Sequence, residues 1–220
     1  MKPLKSEVAD TKTLEELGRA SVQIVHDLKN QLNGLKLYAT FLRKRMEKTE
    51  RPEDERETVA KLIQGLERAA NDMTTLVRLG RPVELRRQKG VNLKRLLIEA
   101  TDGAHGLTQI PHGDDSLEGE FDVAALTEAF KAIHAGARAL ASRRNEEATP
   151  PEVHIERNAT DLPAQAVIQW RGISTETDPF HSYAGSDALR MSLAAKIIEA
   201  HGGDARFEAN TLRVRLPIKG

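Results

Sequence analysis

The stretch that decides the fold reads Ser21-Val22-Gln23-Ile24-Val25-His26-Asp27-Leu28-Lys29-Asn30-Gln31-Leu32. Carried outward from it, Ser21, Val25, Leu28, Leu32, Leu35, Ala39, Leu42 and Met46 step alternately by four and three. That alternation is the seam of a helix packed lengthwise on others. Leu14 and Leu17 extend it backwards. Forwards, Glu50-Arg51-Pro52-Glu53-Asp54 breaks it, because proline lacks the helical donor and disfavours helix in the residue before it. A second seam of Val59, Leu62, Leu66, Ala69, Met73 and Leu76 follows, and Gly80 with Pro82 supplies its stop.

Two long helices, each with one narrow apolar stripe, cannot cover one another as a hairpin without leaving hydrophobic surface exposed. The economical solution is a homodimer whose two hairpins form a four-helix bundle. An intramolecular bundle, or docking of the hairpin onto the second half of the chain, is the alternative.

His26 follows seam residue Val25 and so points about 100° away from the buried line. Asn33, Thr40 and Glu47 share its heptad position, which makes this a wet stripe. Asp27 is next in sequence, and Asn30 lies one turn on along the same face. A carboxylate beside the ring can accept one imidazole N–H and leave the other nitrogen its lone pair for attack on phosphorus. An amide one turn away can orient a water or a phosphoryl oxygen. Lys29, Lys36 and Arg43 form a basic row at seven-residue spacing which, with Asn33, is the expected partner-binding surface. Without further context, an exposed histidine on a helix is an ordinary solvated residue.

The string His26-Asp27-Leu28-Lys29-Asn30-Gln31-Leu32 resembles the phosphoacceptor box of two-component histidine kinases, whose pattern is His, an acid, two variable residues, then Asn or Thr. The family's usual proline is Gln31 here. The resemblance implies a phosphoacceptor at His26, with Asp27 as the acid and Asn30 as the amide. It continues through the second half. Asn92 to Ala100 looks like the first catalytic-domain helix, entered through a capping Asn, and Phe121 to Ala141 looks like the second. Val153 to Glu156 and Ala166 to Trp170 read as strands. Leu189 to Gly203 resembles the helix that closes the family's nucleotide site, and Arg206–Ala209 with Leu212–Leu216 reads as a final hairpin. The implied architecture is α+β: an N-terminal extension over 1–13, a dimerising and phosphoaccepting hairpin over 14–82, and a small α/β sandwich over 83–220 like a degenerate ATPase domain.

The family holds Mg-ATP through three elements, and this sequence departs from each. Ala132 and Gly136 stand where metal-binding amides belong. Trp170 stands where an aspartate reads adenine, in Trp170-Arg171-Gly172-Ile173-Ser174. Ser186, Ala188 and Arg190 stand where phosphate-approaching glycines belong. No cofactor or metal is therefore expected on this chain. The Mg²⁺ of a phosphoryl transfer would arrive with a partner.

Composition narrows the classes further. The 33 basic and 33 acidic residues cancel overall, and neither half is basic enough for a nucleic-acid footprint. The absence of cysteine excludes a disulfide framework, a thiolate metal site and a cysteine nucleophile. No run of about 18 apolar residues suggests a membrane span, and Met1 to Glu7 lacks a signal-peptide core, so a cytoplasmic protein is expected. His105, His112, His134, His154 and His181 show no ligand-like pairing and read as structural or surface residues.

The expectation is a histidine phosphotransferase of a phosphorelay, exchanging phosphoryl groups with receiver domains of response regulators. A response-regulator phosphatase using Asn30 and Asp27 is the alternative, followed by a non-catalytic pseudokinase scaffold. A divergent ATP-dependent autokinase comes last.

Overall fold

The computed structural model describes residues 4–47, 52–101, 117–142, 151–158, 163–183 and 185–219, with side chains from Ser21 onward, Val22 excepted. His105 and His112 lie outside the described residues, as do the side chains of Leu14 and Leu17. The chain divides into two compact units, Met1–Pro82 and Val83–Gly220.

The first unit is a helical hairpin of α1 (Leu4–Met46) and α2 (Glu53–Leu79). Pro52 precedes α2, where its missing N–H costs nothing, and Glu53, Asp54 and Glu55 oppose the positive end of the helix dipole. Gly80 closes α2, its N–H bonded to the carbonyl of Leu76.

The apolar seam of α1 splits in two. Ala39 is buried, and Val25, Leu32 and Met46 are half-buried, whereas Leu28, Leu35 and Leu42 are exposed. On α2 the buried residues are Ile63 and Ala70, seven apart and outside the expected seam, while the seam residue Leu62 is exposed. A heptad pattern offers two adjacent lines of apolar residues, and one neighbouring helix covers only one of them. Ile24, Leu37, Tyr38 and Phe41 are exposed as well. The four-helix bundle is therefore not a property of the single chain.

The second unit is α+β. β1 (Gln88–Asn92) pairs antiparallel with β2 (Glu118–Phe121), and neither strand was legible in the sequence. α3 (Leu93–Ala100) begins at Asn92, whose side chain accepts the Arg95 N–H at 3.0 Å. α4 (Val123–Ser142) follows β2, then β3 (Glu152–Asn158), β4 (Gln165–Arg171), α5 (Ser186–Ala200), β5 (Asp204–Glu208) and β6 (Thr211–Pro217). These last four strands form one antiparallel sheet in the order β3-β4-β6-β5.

Alternation along the strands places Val153 and Ile155, Ala166, Ile168 and Trp170, and Leu212, Val214 and Leu216 on one buried face. Leu126, Phe130 and Ile133 of α4 and Met191, Ala194, Ile197 and Ile198 of α5 complete the core. The two-residue turn between β5 and β6 has Ala209 and Asn210 at φ 47° and 60°, the left-handed geometry that matches the twist of a tight hairpin.

Candidate functional site

The helical phase of α1 sets the site. His26 is about 100° round the helix from Val25 on the line that packs on α2, and half of its side-chain surface is exposed. Both of its polar contacts fall on Nδ1. Asp27 Oδ1 lies 3.5 Å from that nitrogen, and the Asn30 amide nitrogen lies 3.4 Å from it. Nε2 has no partner among the described residues. With the Nδ1 proton turned toward Asp27 the imidazole lone pair is on Nε2 and faces solvent, whereas donation from the Asn30 amide to Nδ1 places the proton on Nε2. Asp27 is held in turn by Gln23, whose Nε2 donates to Asp27 Oδ1 at 3.0 Å. Gln23 belongs to the site and was not singled out in the sequence, because nothing in its residue type or spacing distinguishes it from a surface glutamine.

The expected basic row does not stand free. Lys36 Nζ reaches Glu67 Oε1 on α2 at 2.8 Å, and Arg43 Nε lies 3.7 Å from Glu47 one turn on. Lys29, Asn33 and Lys36 instead form one wall of a polar groove of about 400 Å³, whose other wall is Glu67, Ala70, Asn71 and Thr74 of α2. The row thus contributes to a mixed-charge groove. Only the hairpin brings the α2 half of it into place, so sequence periodicity on α1 could not reveal it.

The sequence matches no protein-family model and no curated protein. Solved structures do resemble the chain. ShkA, full-length in complex with AMPPNP, aligns with a TM-score of 0.59 at 14% identity, over 90% of this chain and 45% of ShkA. The histidine kinase AdeS of Acinetobacter baumannii aligns with a TM-score of 0.47 at 14% identity, over 84% of this chain and 96% of AdeS. The fold is histidine-kinase-like. The chain spans about half the length of ShkA.

A histidine-kinase-like fold implies a Mg-nucleotide site in the second unit, and the described residues that the sequence sets at its elements do not supply the usual ligands. On α4, a Cβ added to Gly136 would collide with Sδ of Met191 on α5, so that sulfur occupies the space in which a side chain on α4 would point. Ala132 and Ala137 offer no ligand atom, and α4 contains no asparagine. Trp170 is wholly buried and its indole N–H has no hydrogen-bond partner among the described residues, so its ring serves as core. Ser186, Ala188 and Arg190 lie in the first turns of α5 and not in a loop. Gly185, just before them, has φ 100°, the one backbone conformation of that stretch that needs glycine.

A second histidine passed unremarked in the sequence. His201 closes α5 and is 1% exposed. Its Nδ1 donates to the Ile197 carbonyl at 2.8 Å, and its Nε2 accepts the Asp122 N–H at 3.0 Å. Burial pushes its pKa down, helped by the nearby Arg87 and opposed by the Ile197 hydrogen bond and the Asp122 charge. Asp122 caps α4 through the Ala125 N–H at 3.0 Å and accepts the Arg86 N–H at 2.7 Å. These two backbone hydrogen bonds hold its carboxyl below the usual range, against a smaller opposing effect of burial. The remaining described histidines sit at the surface or at its margin. His154 lies 3.4 Å from Glu152, His181 lies 2.8 Å from Asp178, and His134 is half-buried on α4. Among the described residues no three His, Asp or Glu side chains gather as a metal site.

Proposed function

We propose that this chain is a histidine phosphotransferase of a two-component relay, taking a phosphoryl group from the aspartyl phosphate of one receiver domain and passing it to another without using nucleotide. The observation that carries the reading is the exposed imidazole of His26, engaged at Nδ1 by Asp27 and Asn30 and open at Nε2. The poor fit of Ala132, Gly136 and Trp170 to a nucleotide supports transfer over autophosphorylation.

In this mechanism Nε2 attacks phosphorus in line as the bond to the receiver's carboxylate oxygen breaks. The electron pair of that bond returns to the receiver, whose aspartate is regenerated. The imidazole gains a positive charge, which Asp27 stabilises through the Nδ1 proton. No proton need leave the ring, so the step reverses readily toward a second receiver. The receiver supplies Mg²⁺ to neutralise the phosphoryl oxygens. The polar groove with Lys29, Asn33 and Lys36 on one wall begins one turn beyond His26 and is where a receiver would dock. A second copy of the chain would cover the exposed apolar line of α1 and complete the bundle.

The test uses a phosphorylated receiver and, separately, labelled ATP, with wild type beside His26→Ala and Asn30→Ala. Label should reach the wild type from the receiver, fail to reach His26→Ala, and never arrive from ATP. Labelling from ATP would establish an autokinase. Loss of receiver phosphate that needs Asn30 and spares His26→Ala would establish a phosphatase.

A further inference from the structure

We propose that Gln23 is a positioning residue for His26, acting through Asp27 to select the imidazole tautomer that transfers phosphoryl groups; the proposal rests on the phosphotransfer reading above. Gln23 Nε2 donates to Asp27 Oδ1 at 3.0 Å, and this same oxygen is the one 3.5 Å from His26 Nδ1. The Asn30 amide nitrogen competes for that ring nitrogen at 3.4 Å. The two contacts demand opposite tautomers. Asp27 can only accept, so it needs a proton on Nδ1 and leaves the Nε2 lone pair open. The Asn30 N–H₂ can only donate, so it needs the Nδ1 lone pair and puts the proton on Nε2, where it blocks attack.

Which contact prevails depends on how firmly the Asp27 carboxylate is aimed. Asp27 is exposed, and an unrestrained aspartate turns freely about its terminal torsion. One amide donor from the preceding helical turn holds Oδ1 beside the ring. The chain of contacts Gln23, Asp27, His26, Asn30 runs along a single face of α1, so every link follows from four- and one-residue spacings on one helix. With Nδ1 protonated, Asn30 is released from the ring and can turn toward an incoming phosphoryl oxygen.

The experiment compares wild type with Gln23→Met, which keeps length and removes the donor, and with Gln23→Lys, which restores an N–H donor able to reach Asp27. Imidazole nitrogen chemical shifts of His26, measured where the ring is neutral, report the tautomer, and receiver-to-His26 transfer reports the rate. Gln23→Met should lose Nδ1–H tautomer and transfer about threefold to tenfold more slowly, the net weight of one ordinary exposed hydrogen bond. Gln23→Lys should recover both. Unchanged tautomer and rate in Gln23→Met, or no recovery in Gln23→Lys beside equal thermal melting, would overturn the role of Gln23. If the wild type accepts no label from any receiver, phosphotransfer itself fails, while the tautomer measurement still decides Gln23 by itself.

Discussion

The buried imidazole of His201, tilted against Phe121, joins the end of α5 to the start of α4 by accepting the Asp122 N–H. Its folded pKa lies below the ordinary histidine value of about 6.5. As pH falls below that value the unfolded chain takes up a proton that the folded one refuses, so stability is full above about pH 6.5 and declines on acidification. Urea midpoints measured at neutral pH and near pH 5.5 should show this decline, and His201→Gln should flatten it. Asp122 works in the same sense at lower pH. Its lowered pKa means that its contribution persists through mild acid and is lost only below the ordinary carboxylate range of about 3.9. Removing its cap with Asp122→Ala should cost about 1–2 kcal/mol, read as a lower Tm at neutral pH.

Elements differ in how much room they leave. A Cβ at Gly203 would strike the backbone carbonyl of Arg215 on β6, which no side-chain rotation can relieve. Gly203→Ala should therefore cost about 1–3 kcal/mol by denaturant unfolding. Gly65, exposed in the middle of α2, has nothing within 4 Å of such a Cβ. Gly65→Ala should stabilise the hairpin by about 0.5–1 kcal/mol through helix propensity. The long helices, the capping Asn92 and the four sheet strands were legible because each follows from a local period or a cap. β1 and β2 were not. Each is four or five residues long with an exposed or mixed pattern, and only pairing across more than twenty intervening residues makes them strands.

For the whole molecule, the question is what covers α1. Leu35 is 55% exposed, Tyr38 70% and Phe41 60%, forming an apolar line that an isolated hairpin leaves in water. Under the proposed pairing of two hairpins, the wild type should run as a dimer by light scattering, and Leu35→Glu with Phe41→Glu should run as a monomer with an intact second unit. A monomeric wild type would remove the bundle from the proposal. Among the described residues no helix is long and apolar enough to cross a membrane.

By itself the sequence determined the hairpin, the alternation of the sheet and the phase that exposes His26 with Asp27 and Asn30 on one face, because helical and strand periods are local properties of the chain. Tertiary structure alone decided which half of the heptad seam is covered, that Lys36 turns to Glu67, that Met191 fills the space at Gly136, and that His201 is buried between Asp122 and Ile197. Each of these depends on what another element brings within a few ångströms, and spacing along one element carries no record of that.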